Sequence, residues 1–180
     1  MALIVFATIV GATTACQAAD GTGGERASDV VAVKAAFLYN FAKFAEWPAL
    51  TPHTPIVFCV VGDDHMADVL ADTVRGQTIG AHPLTVSRPD SVAGWRACQV
   101  LFLGESETNR AEKALTIKQL PVLTVSDGEG FALSGGMIAL YVDSGRIRFA
   151  INVDAAEHAG LRLSSRLLGL AKVVRNDDAK

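Results

Sequence analysis

Residues 56–61, Ile-Val-Phe-Cys-Val-Val, form an uninterrupted apolar run. A short apolar run rich in β-branched side chains predicts a buried strand. The letters that follow are GDDH at residues 62–65 and MADVLADTV at residues 66–74, and the second group has the pattern of a helix. The stretch therefore predicts one strand–loop–helix unit.

The same alternation continues along the chain. PLTVSR at 83–88, CQVLFLG at 98–104 and PVLTVSD at 121–127 are strand candidates, and SETNRAEKALTIKQL at 106–120 predicts a helix between the last two. Strands that alternate with helices favour an α/β fold with a mainly parallel sheet. We therefore expect a three-layer sandwich flanked by helices.

The C-terminal third predicts an antiparallel element. Two β-rich runs surround Asp143-Ser144-Gly145, which is typical of a hairpin. Asp154 and Glu157 have the spacing of a capping box for a short helix that ends at Gly160. Ser164 is placed to cap a second helix over residues 165–174. The sheet should thus end in a C-terminal antiparallel hairpin followed by helices.

Composition limits the classes of protein. The chain has 180 residues, of which 50% are hydrophobic, and a formal net charge of −3. This length suits one domain, and the composition argues against disorder. The weakly acidic balance also argues against a nucleic-acid binder, which needs a basic face.

The amino terminus has the features of an export signal. Residues 2–15 are uncharged, and this run is shorter than the ~18 residues that span a bilayer. We predict a cleaved signal peptide at 1–19, a flexible start at 20–28, a domain at 29–175 and a tail at 176–180. No Lys or Arg precedes the run, so Met1 could be an internal start of a longer signal. Lipidation at Cys16 is the alternative to simple cleavage.

Two cysteines remain after the leader, Cys59 and Cys98. In an oxidising compartment an even number of cysteines suggests a disulfide, whereas two buried free thiols are the alternative. Their separation alone does not decide between these. Without a cluster of histidines they do not predict a zinc site.

A long aromatic helix is predicted before the first strand. Ser28 or Asp29 can cap it, and Pro48 ends it after Trp47. At 100° per residue, with Leu38 and Ala45 beside it, the apolar arc of this helix contains Val30, Val33, Phe37, Phe41 and Phe44. Lys34 falls inside this arc, and we expect it to snorkel rather than to meet an acidic partner.

The sequence contains no recognisable catalytic motif, cofactor fingerprint or metal-binding pattern. Loops at the carboxyl ends of strands could bind a ligand, but Asp63 or Asp64 more simply caps the next helix, Ser106 more simply caps another, and Asp127-Gly128 more simply forms a turn. Four glycines in residues 128–140 favour turns with positive φ over a ligand loop. The histidines have the distribution of surface residues: His53, His65, His82 and His158.

Five blocks in order carry a resemblance to a known family. They are VKAAFLYNFAKFAEWP, FCVVGDD, CQVLFLGESE, PVLTVSDGEGFALSGGMIAL and RIRFAINVDAAEHAGLRLSSRLLGLAKVV. Over residues 30–175 the chain resembles the YfiR family of exported proteins. The resemblance implies a periplasmic, non-enzymatic α/β protein. It would bind the periplasmic part of an inner-membrane diguanylate cyclase of the YfiN type and repress it, which restrains cyclic-di-GMP signalling and biofilm formation.

The resemblance also implies a homodimer and a disulfide between Cys59 and Cys98. A second disulfide of some relatives has no cysteines here, so redox control need not be the same. The protein would meet the membrane only through its partner. Lys43 and Glu46, on the polar side of the aromatic helix, are our predicted partner contacts. The alternative functions are a small-molecule-binding module and an accessory of a sensor kinase.

Overall fold

An eight-stranded mixed sheet forms the centre of the structure, a computed structural model that describes residues 22–104, 117, 119–128 and 130–176, with side chains from residue 29 onward. In chain order the strands of this sheet are β2 (Ile56–Val61), β3 (Thr78–Ile79), β4 (His82–Ser87), β5 (Val100–Leu103), β6 (Leu123–Ser126), β7 (Ile138–Asp143), β8 (Arg146–Asn152) and β10 (Lys172–Val174). A separate antiparallel pair consists of β1 (Ala45–Glu46) and β9 (Arg162–Leu163).

The order across the large sheet is β10-β8-β7-β6-β5-β2-β4-β3. All neighbours pair in parallel except β7 with β8 and β3 with β4. The β7–β8 hairpin turns at Ser144 and Gly145, whose φ angles are 51° and 73°. The predicted α/β class, the mainly parallel sheet and the C-terminal hairpin are confirmed.

Helices pack against the sheet. They are α1 (Thr22–Lys43), α2 (Asp64–Val74), α3 (Val153–His158) and α4 (Ser165–Leu168), with a 3₁₀ helix at Val92–Ala97. One apolar cluster joins α1 and α2 to one face of the sheet, and a second surrounds Trp95 on the other face. Among the described residues, no helix combines the length and the apolar character needed to cross a membrane.

Both predicted ends of the aromatic helix are wrong. The helix begins at Thr22 rather than at Ser28 or Asp29, and it ends at Lys43 rather than at Trp47. It stops because the next residues pair with β9, and the backbone N–H of Ser164 donates to the carbonyl of Phe44 at 2.9 Å. Trp47 is fixed separately, since its indole N–H donates to the carbonyl of Pro121.

The buried side of α1 also differs from the predicted arc. Phe41 is fully buried and Phe37 and Phe44 are partly buried, but Val30 and Val33 are 40% and 45% exposed. Leu38, which was predicted beside the arc, is buried, and the helix also buries Ala35 and Ala42, which were not predicted. Alanines let a helix approach a sheet closely but give little hydrophobic signal in a sequence.

Two local predictions near the C-terminus are wrong and one is confirmed. The carboxamide of Asn152, rather than Asp154, caps α3 by accepting from the N–H of Ala155 at 3.0 Å. Ser164 does cap α4, but that helix ends at Leu168 and residues 172–174 form β10. Pairing with β8 outweighs the helical pattern there. The helix predicted for 106–120 lies mostly outside the described residues.

Candidate partner-binding surface

Lys34 has an acidic partner, so the snorkelling prediction is wrong. Its ammonium donates to Oδ2 of Asp127 at 2.7 Å, and the two side chains are only 21% and 10% exposed. Asp127 follows β6, so the pair joins α1 to the carboxyl end of the parallel sheet. The second oxygen, Oδ1, is buried without a hydrogen-bond partner among the described residues.

The other loops at this edge of the sheet have structural roles. Oδ1 of Asp63 caps α2 by accepting from the N–H of Met66 at 2.8 Å, as predicted. Asp64, the other predicted cap candidate, is not the cap of α2. Its Oδ1 lies 3.8 Å from Nε of Arg88. Ser106 lies outside the described residues. Gly104 approaches Gly62 so closely that a Cβ would meet its carbonyl oxygen at 3.2 Å.

The glycine-rich loop before β7 is built for tight turns. Gly130 and Gly135 have φ angles of 90° and 94°, which confirms the predicted positive φ. Gly136 packs under the ring of Phe131, because a Cβ there would lie 2.3 Å from the ring. The loop thereby covers part of the second apolar cluster.

The histidines do not converge. The ring of His82 contacts the carbonyl of Thr54, and that of His158 contacts the carbonyl of Asp154. Within the part of the chain that the structure describes, no group of three or more His, Cys, Asp or Glu side chains is arranged to hold a metal ion.

Cys59 and Cys98 form a disulfide. Their Cα atoms are 5.8 Å apart, and both residues are buried. The bond joins β2 to the residue that follows the 3₁₀ helix. A buried disulfide is consistent with a protein that works outside the cytoplasm.

The two predicted contact residues lie at the end of α1. Lys43 is the last residue of the helix, Glu46 is in β1, and both are exposed. In the β1–β9 pair, Glu46 stands opposite Arg162. These residues thus lie together at one corner of the molecule.

A small cavity opens beside this corner. It has a volume of about 200 Å³ and is lined by Val153, Ala156, Glu157, Leu161, Arg162, Leu163 and Leu168. Because Arg162 and Leu163 form β9, the cavity adjoins Glu46 across the strand pair. We call Lys43, Glu46 and the lining of this cavity the β1–β9 surface. It combines apolar walls with both signs of charge, a combination that protein interfaces use.

The charged rim of this surface, Lys43 and Glu46, contains the partner contacts predicted from the sequence, whereas its apolar part was not predicted. Leu168 was predicted only as part of a helix and Leu161 was assigned to no element, while β9 has two residues, too few for a period-2 signal. The opposite charges on Glu46 and Arg162 are 116 positions apart in a chain where many such pairs occur. Only the strand register brings them together.

A family model agrees with the architecture and with the five sequence blocks. The model is described as YfiR/HmsC-like and matches residues 31–172, which is most of the chain and includes every strand of the large sheet except its last two residues. The matched range contains the disulfide, the Lys34–Asp127 pair and the whole β1–β9 surface. The chain belongs to the YfiR/HmsC-like family.

Proposed function

We propose that this protein is a periplasmic regulator that binds the periplasmic part of an inner-membrane diguanylate cyclase and represses it. Membership of the YfiR/HmsC-like family is the observation that carries the proposal, because it is consistent with a regulator of such a cyclase. Repression by contact needs a rigid binding surface and no catalytic group. The consequence is restrained cyclic-di-GMP output and biofilm formation.

The β1–β9 surface is the proposed contact area. Lys43 and Glu46 supply exposed charges, which in protein interfaces set orientation and association rate. Leu161 and Leu163 supply an apolar wall beside them. The cavity of about 200 Å³ is smaller than the ~300–1,000 Å³ of typical small-molecule sites, so it suits one inserted side chain of a partner.

Export is part of the proposal. The signal peptide at 1–19, which lies outside the described residues, would place the mature chain in the periplasm, and the disulfide fits that compartment. We further propose that the mature protein is a homodimer and that it reaches the membrane only through its partner.

The test is a pull-down of the tagged mature protein against detergent-solubilised inner membranes. We expect it to recover a membrane protein that makes cyclic-di-GMP from GTP, and we expect this synthesis to fall as more of the mature protein is added. The double variant Lys43→Glu/Glu46→Lys should recover less of the cyclase at an unchanged melting temperature.

The matched control is Asp90→Lys/Arg96→Glu, which reverses two exposed charges elsewhere and also conserves net charge. It should recover as much cyclase as the natural protein. Recovery of a sensor kinase without any cyclase would indicate that the protein is an accessory of a sensor kinase instead. Stabilisation by a metabolite, with no membrane protein recovered, would favour a small-molecule-binding module.

A further inference from the structure

A second groove lies on the opposite face of the sheet, at the β10 end. Its volume is about 120 Å³, and its lining is Gly130, Ala132, Leu133, Ala139, Tyr141, Ala150, Lys172 and Val174. Strand alternation separates it from the β1–β9 surface. Ala139 and Ala150 face the cluster around Trp95, whereas Leu140 and Phe149 face α1.

The groove exists because its floor is made of small side chains. Ala139 and Ala150 are directly opposite each other in the β7–β8 ladder, and Ala132 joins them from the glycine-rich loop. Larger residues form the walls: Leu133, which is 40% exposed, on one side and Tyr141 on another. The space is comparable with one buried aliphatic or aromatic side chain, since an apolar cavity of ~150 Å³ holds benzene.

One cation lines the groove, and a second lies on the same face of the sheet. Lys172 lines the groove and stands opposite Ala150 in the β8–β10 ladder. Arg148 lies on the same face of β8, two residues from Ala150 and directly opposite Tyr141. Both are exposed, and neither forms an ion pair with another described residue.

Charge decides between the occupants of such a groove. A second copy of this chain that docked through the same face would bring Arg148 and Lys172 of both copies together, and like charges repel. A segment that carries carboxylates is attracted instead. The neighbouring β10 is the outermost strand of the sheet, and an edge strand favours an extended segment.

We propose that this groove binds an extended acidic segment of a partner protein. One apolar side chain of the segment enters between Leu133 and Tyr141, and its flanking carboxylates pair with Arg148 and Lys172. The site is separate from the β1–β9 surface and does not depend on the identity of the partner named above.

The test uses five short peptides, each with Ala, Val, Leu, Phe or Tyr between two Glu residues, titrated into ¹⁵N-labelled mature protein. We expect saturable amide shifts centred on Ala132, Ala139, Ala150 and Val174 for at least one of the larger side chains. Replacing both Glu residues of that peptide by Gln should weaken its binding about tenfold, because two charge pairs are lost.

Protein variants give the matching control. Arg148→Gln/Lys172→Gln should weaken the same peptide about tenfold, whereas Arg75→Gln/Arg96→Gln, which removes two exposed positive charges elsewhere, should leave the affinity unchanged. All four positions are on the surface, so the melting temperatures should stay equal. The absence of shifts with every peptide up to millimolar concentration would overturn the proposal, as would equal affinity in both double variants.

A small carboxylic acid is the comparison ligand that distinguishes binding of a protein segment from binding of a small molecule. We expect 4-methylpentanoate, which offers the apolar group and one carboxylate without the backbone, to bind more weakly than the Leu peptide. Equal dissociation constants for 4-methylpentanoate and the Leu peptide would overturn the assignment to a protein segment. They would indicate that the groove binds a small carboxylic acid.

Discussion

The carboxylate of Asp127 accepts a hydrogen bond from Lys34 with one oxygen, while its other oxygen is buried without a partner among the described residues. A buried carboxylate is stable only when its charge is compensated. The pair therefore fixes the rotation of α1 about its axis. This explains why Lys34 points to the sheet while Val30 and Val33 are exposed.

Removing the ammonium group of Lys34 should destabilise the folded protein, because it leaves the Asp127 carboxylate buried without a compensating charge. We expect Lys34→Met to lower the free energy of unfolding by about 2–3 kcal/mol in urea denaturation, somewhat less than the ~3–5 kcal/mol of a fully buried pair. Arg75→Met is the control, since the side chains of Arg75 and Asp72 are 77% and 72% exposed. It should cost less than about 0.5 kcal/mol.

The double variant Lys34→Met/Asp127→Leu should recover at least half of the loss, because no charge remains buried. If Lys34→Met costs no more than Arg75→Met, the pair does not hold the helix. The sequence alone marked Lys34 as anomalous and offered both explanations. It could not name the partner, which is 93 positions away and in a loop that reads as an ordinary turn.

At the scale of elements, α1 is held to the sheet by a cluster of three rings. The ring centroids of Phe41 and Phe149 are 5.0 Å apart, those of Phe37 and Phe149 are 5.5 Å apart, and those of Phe37 and Phe41 are 5.8 Å apart. Aromatic pairs at such distances add to the energy of burial. The helix thus docks on β8 mainly through Phe41 and Phe37.

Truncation of Phe41, whose ring packs against those of Phe37 and Phe149, tests this docking. Phe41→Ala should lower the free energy of unfolding by about 3–5 kcal/mol, since it leaves a cavity between helix and sheet. Val33→Ala, on the exposed side of the same helix, should cost less than about 0.5 kcal/mol. Near-equal losses in thermal or urea unfolding would contradict the position of α1.

The disulfide is the second link between elements. It closes a loop of 39 positions, and the chain-entropy model gives about 4 kcal/mol for a loop of this length. We expect reduction of the native protein to lower its free energy of unfolding by about 2–5 kcal/mol. The same reductant should leave Cys59→Ala/Cys98→Ala unaffected. Two titratable thiols in protein taken from the periplasm would contradict the bond.

Elements with a strong local signal were predictable, and strands of two or three residues were not. The run at β2 contains only apolar residues, and the turn at Ser144-Gly145 has its own signature, so both were identified from the sequence. β10 was read as helix because Lys172-Val173-Val174 fits either structure and only the pairing with β8 decides. α1 was extended too far because β1 and β9 have two residues each.

The whole molecule presents two different surfaces, one beside the separate β1–β9 pair and one on the eight-stranded sheet. The β1–β9 surface lies at the end of α1. The groove between Leu133 and Tyr141 lies on the face of the sheet opposite that helix. The sequence identified the family through its five blocks, and the proposed function rests on that membership. It did not reveal the groove, because Arg148, Tyr141 and Lys172 come from three strands and converge only in the folded sheet.

The cellular concentration of cyclic-di-GMP provides the test of the proposed repression. It is compared in the parent strain, in a strain that lacks the gene, and in that strain supplied with the natural protein or with Lys43→Glu/Glu46→Lys at equal periplasmic amounts. We predict that deletion raises cyclic-di-GMP, that the natural protein lowers it in proportion to its amount, and that the variant lowers it less. Unchanged cyclic-di-GMP after deletion, under conditions where the protein is expressed, would contradict repression of a diguanylate cyclase.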